Sequence, residues 1–171
     1  MTADARFVLD ANVFIQAQRA YYAFDICPGY WKAMLAHHDS ARLCSIDQIR
    51  GELLAGRDAL ADWVAGSAPA TFFADTDDPV ITVWFGQLMA WVQSRPQFSA
   101  AAKAEFAAKA DGWLVAYARA LGCTVVTLEV ANPKVQRKVP IPNVCDAFGV
   151  EYTNTFDMLR ALATQFEWQR E

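Results

Sequence analysis

The sequence predicts an α/β protein built on a mainly parallel sheet that is covered on both faces. Three observations predict it. Short apolar runs at Phe7-Val8-Leu9, Leu43 to Ile46 and Thr124 to Leu128 read as strands. Segments with helical spacing alternate with those runs, the pattern that produces parallel strands joined by helices. Two of the runs end in a carboxylate, Asp10 after the first and Glu129 after Leu128.

Taken in order, Ala5 to Asp10 is a predicted strand, followed by a helix from Asn12 to Tyr22 with Val13, Ile15, Ala17 and Ala20 as its apolar positions. Pro28-Gly29 breaks the chain, and a helix through Trp31, Met34 and Leu35 ends near His37-His38-Asp39-Ser40. Leu43 to Ile46 is the second strand. Ser45 and Gln48 have the spacing of a capping box for a helix through Ile49, Leu53 and Leu54 to about Gly56. Asp58 caps a helix carrying Leu60, Trp63 and Val64. Thr71-Phe72-Phe73 is expected to be extended. Asp78-Pro79 starts a helix through Val83, Trp84, Leu88, Trp91 and Val92, closed by Arg95-Pro96.

An alanine-rich helix is expected over Ala100 to Ala110. Asp111 opens another, with Trp113, Leu114, Tyr117, Ala118 and Leu121 apolar and Gly122 as its C-cap. Thr124 to Leu128 is the third strand, and Lys134 to Lys138 a polar loop. Ile141 to Cys145 leads to a short helix or turn, Gly149 to Thr153 to a fourth strand, and Phe156 to Trp168 to a terminal amphipathic helix. Four or five strands are expected, one of them in the middle of the chain.

A chain of 171 residues that is 54% hydrophobic, with 11 Phe and 6 Trp, is expected to form a single domain over 1–171 with one good core. No apolar run is long enough to span a bilayer, and Met1 to Arg6 does not read as a secretory signal, so a cytoplasmic location is expected. Cys27, Cys44, Cys123 and Cys145 form no C-x-x-C pair, which argues for reduced buried thiols and against zinc. The net charge of −4 excludes nucleic-acid binding by bulk charge, though not by a local basic strip.

The acids carry the functional reading. Ligands of an open parallel sheet bind outside the carboxyl ends of its strands. Asp10 and Glu129 end strands there. Glu52 lies five residues after Asp47, so it is only about 7–8 Å along a helix that starts at that edge. Asp111 starts a helix that runs back towards the next strand, so it too belongs to that edge. Carboxylates held together raise one another's pKa, and Mg²⁺ or Mn²⁺ relieves the conflict through hard oxygen ligands. Such an ion activates water and stabilises charge on a phosphodiester.

These segments resemble the PIN-domain ribonucleases over nearly the whole chain. The matching stretches are FVLDANVFI around Asp10, IDQIRGEL around Glu52, ADGWLVAYARALG around Asp111, VVTLE ending at Glu129, and the tail motif IPNVCDAFGV. The FDICPGYW segment and the glutamate of VVTLE are similar to a PIN subgroup once filed as a domain of unknown function. The resemblance implies a three-layer α/β/α sandwich, dependence on Mg²⁺ or Mn²⁺, and cleavage of RNA. Many bacterial and archaeal members are toxins of toxin–antitoxin pairs, like the VapC toxins, which implies a cognate antitoxin as partner. Two positions depart from the family: Asn12 stands where serine or threonine is common, and Glu129 where aspartate is common. One-metal and two-metal mechanisms both remain open.

Asp10, Glu52, Asp111 and Glu129 are therefore the expected metal ligands, with Asn12 and Thr127 positioning water or phosphate. Lys134, Arg137 and Lys138 follow Glu129 and are expected to meet RNA phosphates. Asp78 has a sufficient role as a cap, Asp47 reads as a helix-start residue, and His37 and His38 read as surface residues. The aromatic residues from Tyr21 to Trp31 read as core or as an interface more than as a base-stacking platform; that apolar content suits a homodimer or an antitoxin groove. Two other readings compete. A non-catalytic PIN-like scaffold would tolerate four acids without using them. A haloacid-dehalogenase-type phosphatase also places an aspartate after its first strand but needs a second at the position of Asn12.

Overall fold

In the computed structural model, which describes residues 5–170, the strands are β1 (Phe7–Leu9), β2 (Leu43–Ile46), β3 (Phe73–Ala74), β4 (Thr124–Val126) and β5 (Tyr152–Thr153). They form one sheet in the order β3-β2-β1-β4-β5, and every pairing is parallel. Met1 to Asp4, part of the stretch read as lacking a secretory signal, lie outside the described residues. Among the described residues no helix is long and apolar enough to cross a membrane.

The sheet is covered on both sides. Consecutive residues of a strand point to opposite faces, and Phe7, Val8 and Leu9 of β1 are all fully buried, as are Val125 and Val126 of β4. The covering helices are α1 (Ala11–Arg19), α2 (Pro28–Asp39), α3 (Asp47–Ala55), α4 (Ala59–Gly66), α5 (Pro79–Ser94), α6 (Ala100–Ala108), α7 (Asp111–Leu121), α8 (Ile141–Phe148) and α9 (Thr155–Ala161). This is the expected three-layer arrangement. Phe14, Trp31, Trp63 and Phe72 interlock on one side of the sheet. Phe85 of α5 stacks on Trp113 of α7 at 3.9 Å.

The strand order places a switch point at the centre. The chain leaves β1 towards β2 and β3, then crosses back to β4 on the other side of β1. The carboxyl ends of β1 and β4 therefore flank the crevice where such sheets bind ligands.

Several caps follow the sequence. Asp58 accepts from the Ala61 N–H, and Asp78 accepts from the N–H groups of Val80 and Ile81 ahead of Pro79. Gly122 closes α7 in the left-handed conformation, at φ 67°. The capping box at Ser45 does not form. Ser45 still belongs to β2, is fully buried, and donates its hydroxyl across the sheet to the Leu9 carbonyl at 2.7 Å. Asp47 instead accepts from the Thr76 hydroxyl and the Gln48 N–H.

Three further differences have plain causes. The extended piece at Thr71 is a 3₁₀ turn, Ala70–Phe72, and the fifth strand is the two residues that follow it. The terminal helix stops at Ala161, because the chain turns at Ala163 with φ 51° and then runs across α2. There Thr164 meets His37 at 2.8 Å and Phe166 packs on Tyr22 and Tyr30. His37 and His38 are thus half-buried framework groups, His38 joining the Leu43 carbonyl to the Thr71 hydroxyl. Tyr30 and Trp31 are core residues, so they offer no stacking platform.

The start of α7 is set by a close approach. A Cβ on Gly112 would stand 2.7 Å from the Met89 methyl and 3.1 Å from the Phe85 ring, both on α5. Gly112→Val is expected to destabilise the fold by roughly 1–3 kcal/mol through overpacking. A thermal melt of the purified variant checks it, and an unchanged midpoint would show that this packing is loose.

Candidate active site

Asp10 follows β1 directly and still pairs with β4 through its backbone, its N–H donating to the Val126 carbonyl at 2.9 Å. It occupies the cap position of α1 but its side chain caps nothing. The carboxylate turns into the crevice instead, where it is only 2% exposed. Thr127, the residue after β4, donates its hydroxyl to Asp10 Oδ2 at 3.0 Å and accepts from the Glu129 N–H at 3.2 Å. One buried hydroxyl therefore ties the two central strand ends together.

Asp111 is the first residue of α7 and is not its cap, a position held by Ala110. The cap is supplied from a distance: Glu52 of α3 accepts from the Ala110 N–H at 3.0 Å. Glu129 stands beyond β4 in a loop, and its Oε2 accepts from the Ile141 N–H at 2.8 Å, the first N–H of α8. Its Oε1 is paired with the Lys138 ammonium. Both helix starts lack a local side-chain cap, and an acid from elsewhere satisfies each.

Asp10, Asn12, Glu52, Asp111, Glu129 and Lys138 line one cavity of about 390 Å³. Lys109, which the sequence reading did not single out, lines it too and is paired with Glu105. Its one sequence signal was a lysine two residues before Asp111. Lys134 and Arg137 are exposed on the loop before α8 and do not line the cavity.

Burial raises the Asp10 carboxyl to about 7, helped by the charges of Asp111 and Glu129 and opposed by the Thr127 hydroxyl. Burial likewise raises Asp111 to about 6, helped by Glu129 and Glu52 and opposed by Lys138 and Lys109. Among the described residues, no three acid, His or Cys side chains are drawn close enough to form a finished metal shell. Glu129 is engaged at both oxygens and Glu52 at one. The donor set nevertheless fits a hard cation. It consists of carboxylate oxygens in one cavity, and the two aspartates carry a charge conflict that the neighbouring lysines offset only in part.

The acid-lined switch point lies at the edge of a parallel sheet under two helical layers, and a solved structure shares that fold. A chain of the VapBC2 complex from Rickettsia felis, solved bound to a DNA fragment from their promoter, matches with a TM-score of 0.53 and 12% identity. The match covers 86% of this chain and 97% of that one. A family model described as a domain of unknown function, DUF4411, matches residues 7–166, and the chain belongs to that family. No curated protein matches the sequence.

The raised carboxyls make stability depend on pH. Asp10 and Asp111 titrate near 7 and 6 in the folded protein, against an ordinary value of 3.8. Between those values the folded chain holds protons that the unfolded chain has released, so these groups lower stability as pH rises from about 4 to about 7. Without divalent cations, Asp10→Asn is expected to raise the melting temperature at pH 8 and to leave it nearly unchanged at pH 4. Melts at both pH values test this, and a variant that is no more stable at pH 8 would contradict the cost of burying a charged Asp10 beside other acids.

Proposed function

We propose that this chain is a metal-dependent endoribonuclease that hydrolyses RNA phosphodiesters, and the toxin of a toxin–antitoxin pair. The observation that supports it best is the meeting of Asp10, Glu52, Asp111 and Glu129, from four distant segments, in one cavity at the switch point. The likeness to a VapBC2 chain supports the toxin assignment and a cognate antitoxin protein as partner. Cytoplasmic RNA is the substrate in this reading. The exposed Val80 and Val83 of α5 offer apolar surface for a homodimer or for that antitoxin.

Asp10 and Asp111 would hold Mg²⁺ or Mn²⁺ directly, with Glu52 and Glu129 completing the set. When bound, such an ion supplies Lewis-acid stabilisation of the phosphodiester and an activated water. Thr127 orients Asp10 through its hydrogen bond. Asn12, exposed at the rim, positions water or a phosphate oxygen with its amide. Lys138 neutralises the approaching phosphate from the cavity wall, and Lys134 and Arg137 meet the RNA farther out.

One observation favours the scaffold reading instead: Glu129 already has a cationic partner in Lys138. Metal titration separates the two, since a scaffold has no divalent-cation site that depends on Asp10.

Purified protein should cut total RNA into discrete fragments with Mg²⁺ or Mn²⁺ and should stop in EDTA. Asp10→Asn and Asp111→Asn should each lose more than about 100-fold in rate, since even partners of metal ligands cost 10–100-fold. Circular dichroism should show both variants folded. Full activity in either would remove it from the site. Thr127→Val, which keeps the shape and deletes the hydroxyl, should lose about 10–100-fold, read as initial rates on the same RNA.

A further inference from the structure

We propose that one face of α1 is the path of a single RNA strand beyond the cut, with Arg19 as the positioning residue for a flanking phosphate. The inference rests on the ribonuclease reading and gives that site its substrate geometry.

The face is defined by spacing. Asn12, Ile15, Gln16 and Arg19 stand at intervals that place them on one stripe of a helix. Ala11, Val13, Phe14 and Ala17 are buried on the opposite side. A second cavity of about 370 Å³ runs along this stripe, lined by Asn12, Ile15, Gln16, Arg19, Leu128 and Glu129. It shares Asn12, Ile15 and Glu129 with the acid-lined cavity, so the two adjoin, and a strand crossing both would follow a trough along α1.

The charges along the trough suit a phosphodiester chain. The acids of the first cavity repel it, and Lys109 and Lys138, paired with Glu105 and Glu129, stand among them. Arg19 lines the second cavity and is the cation there without an ion pair among the described residues. Arg19 lies about 10 Å along the helix from Asn12, far enough to take a neighbouring phosphate and not the one being cut. Arg19 is exposed, and among the described residues it makes no ion pair or side-chain hydrogen bond. Between the charged positions, half-buried Ile15 and Leu128 offer a small apolar floor for a base, and the Asn12 and Gln16 amides can bond base edges or a 2′-hydroxyl.

Burial selects a single strand. Asp10 is 2% exposed at the bottom of the crevice. A lone strand can bend a phosphate down to it, whereas a duplex holds its phosphates on a stiff rod that the cavity walls stop short.

The test uses the intact protein in Mg²⁺ and a short fluorescein-labelled single-stranded RNA, with anisotropy for binding and gels for cleavage. Arg19→Gln should weaken binding several-fold and flatten the slope of log K against log salt by about 0.7, the value for one phosphate contact on a single strand. Its KM should rise while kcat is kept. Arg19→Lys should restore the slope. Lys32→Ala, which removes an exposed charge of α2 outside both cavities, controls for net charge and should change neither quantity. Arg19→Gln behaving like Lys32→Ala would overturn the path, as would an equal dependence on Arg19 with duplex RNA. Unchanged RNA binding with loss of a co-purifying protein would overturn it too, giving the trough to a protein. Binding that depends on Arg19 without any cleavage would keep the path and refute the nuclease. Cleavage indifferent to Arg19 would do the reverse, and a protein that neither binds nor cuts RNA refutes both.

Discussion

A nearly dry carboxylate at the end of the central strand is the constraint on which the rest of the structure depends. β1 is covered on both faces and flanked by β2 and β4, so whatever follows it is drawn into the interior edge of the sheet. That residue is Asp10. Desolvation alone disfavours its charge, and Asp111 and Glu129 add to the cost. The surroundings are arranged to bear it. Thr127 gives Asp10 one hydrogen bond, and the backbone after β4 turns to let that hydroxyl also hold Glu129.

The four acids are not equivalent, and the difference is structural. Glu52 and Glu129 complete the starts of α7 and α8, doing for distant helices what a local capping glutamate does for its own. Each has therefore a folding role beside any role in the site. Asp10 and Asp111 cap nothing, and both carry carboxyls raised well above the ordinary range. A pair of acids with no structural duty and a standing charge conflict is what a cation site needs. The fold tolerates the pair because Lys109 and Lys138 stand close enough to offset part of the repulsion.

The same arrangement would reconcile an acidic chain with the polyanionic substrate proposed for it. A net charge of −4 gives no general attraction for RNA. Local order matters more: acids sit at the floor of the trough, with lysines and Arg19 along its walls. Such a pattern repels phosphate unless a cation fills the floor, which couples substrate binding to metal binding in this reading.

Periodicity and topology were enough to place most of the fold. The apolar runs that became β1, β2 and β4 had to be buried, helical spacing set the layers over them, and a parallel sheet has only one edge where strand ends and the following helix starts coincide. That is why topology by itself groups Asp10, Glu52, Asp111 and Glu129. The tertiary structure alone decided how each one is used. Ser45 became a strand residue bonded to Leu9, because its neighbours in space outcompeted its local cap. The chain past Ala161 left the helix, because Phe166 found an aromatic pocket over α2. Lys109 joined the site and Lys134 and Arg137 stayed outside it, because loop paths depend on long-range packing that no local spacing encodes. Strand and helix identity follows from each residue's sequence neighbours; the partner of a charged side chain follows from which distant backbone is left with an unsatisfied hydrogen bond.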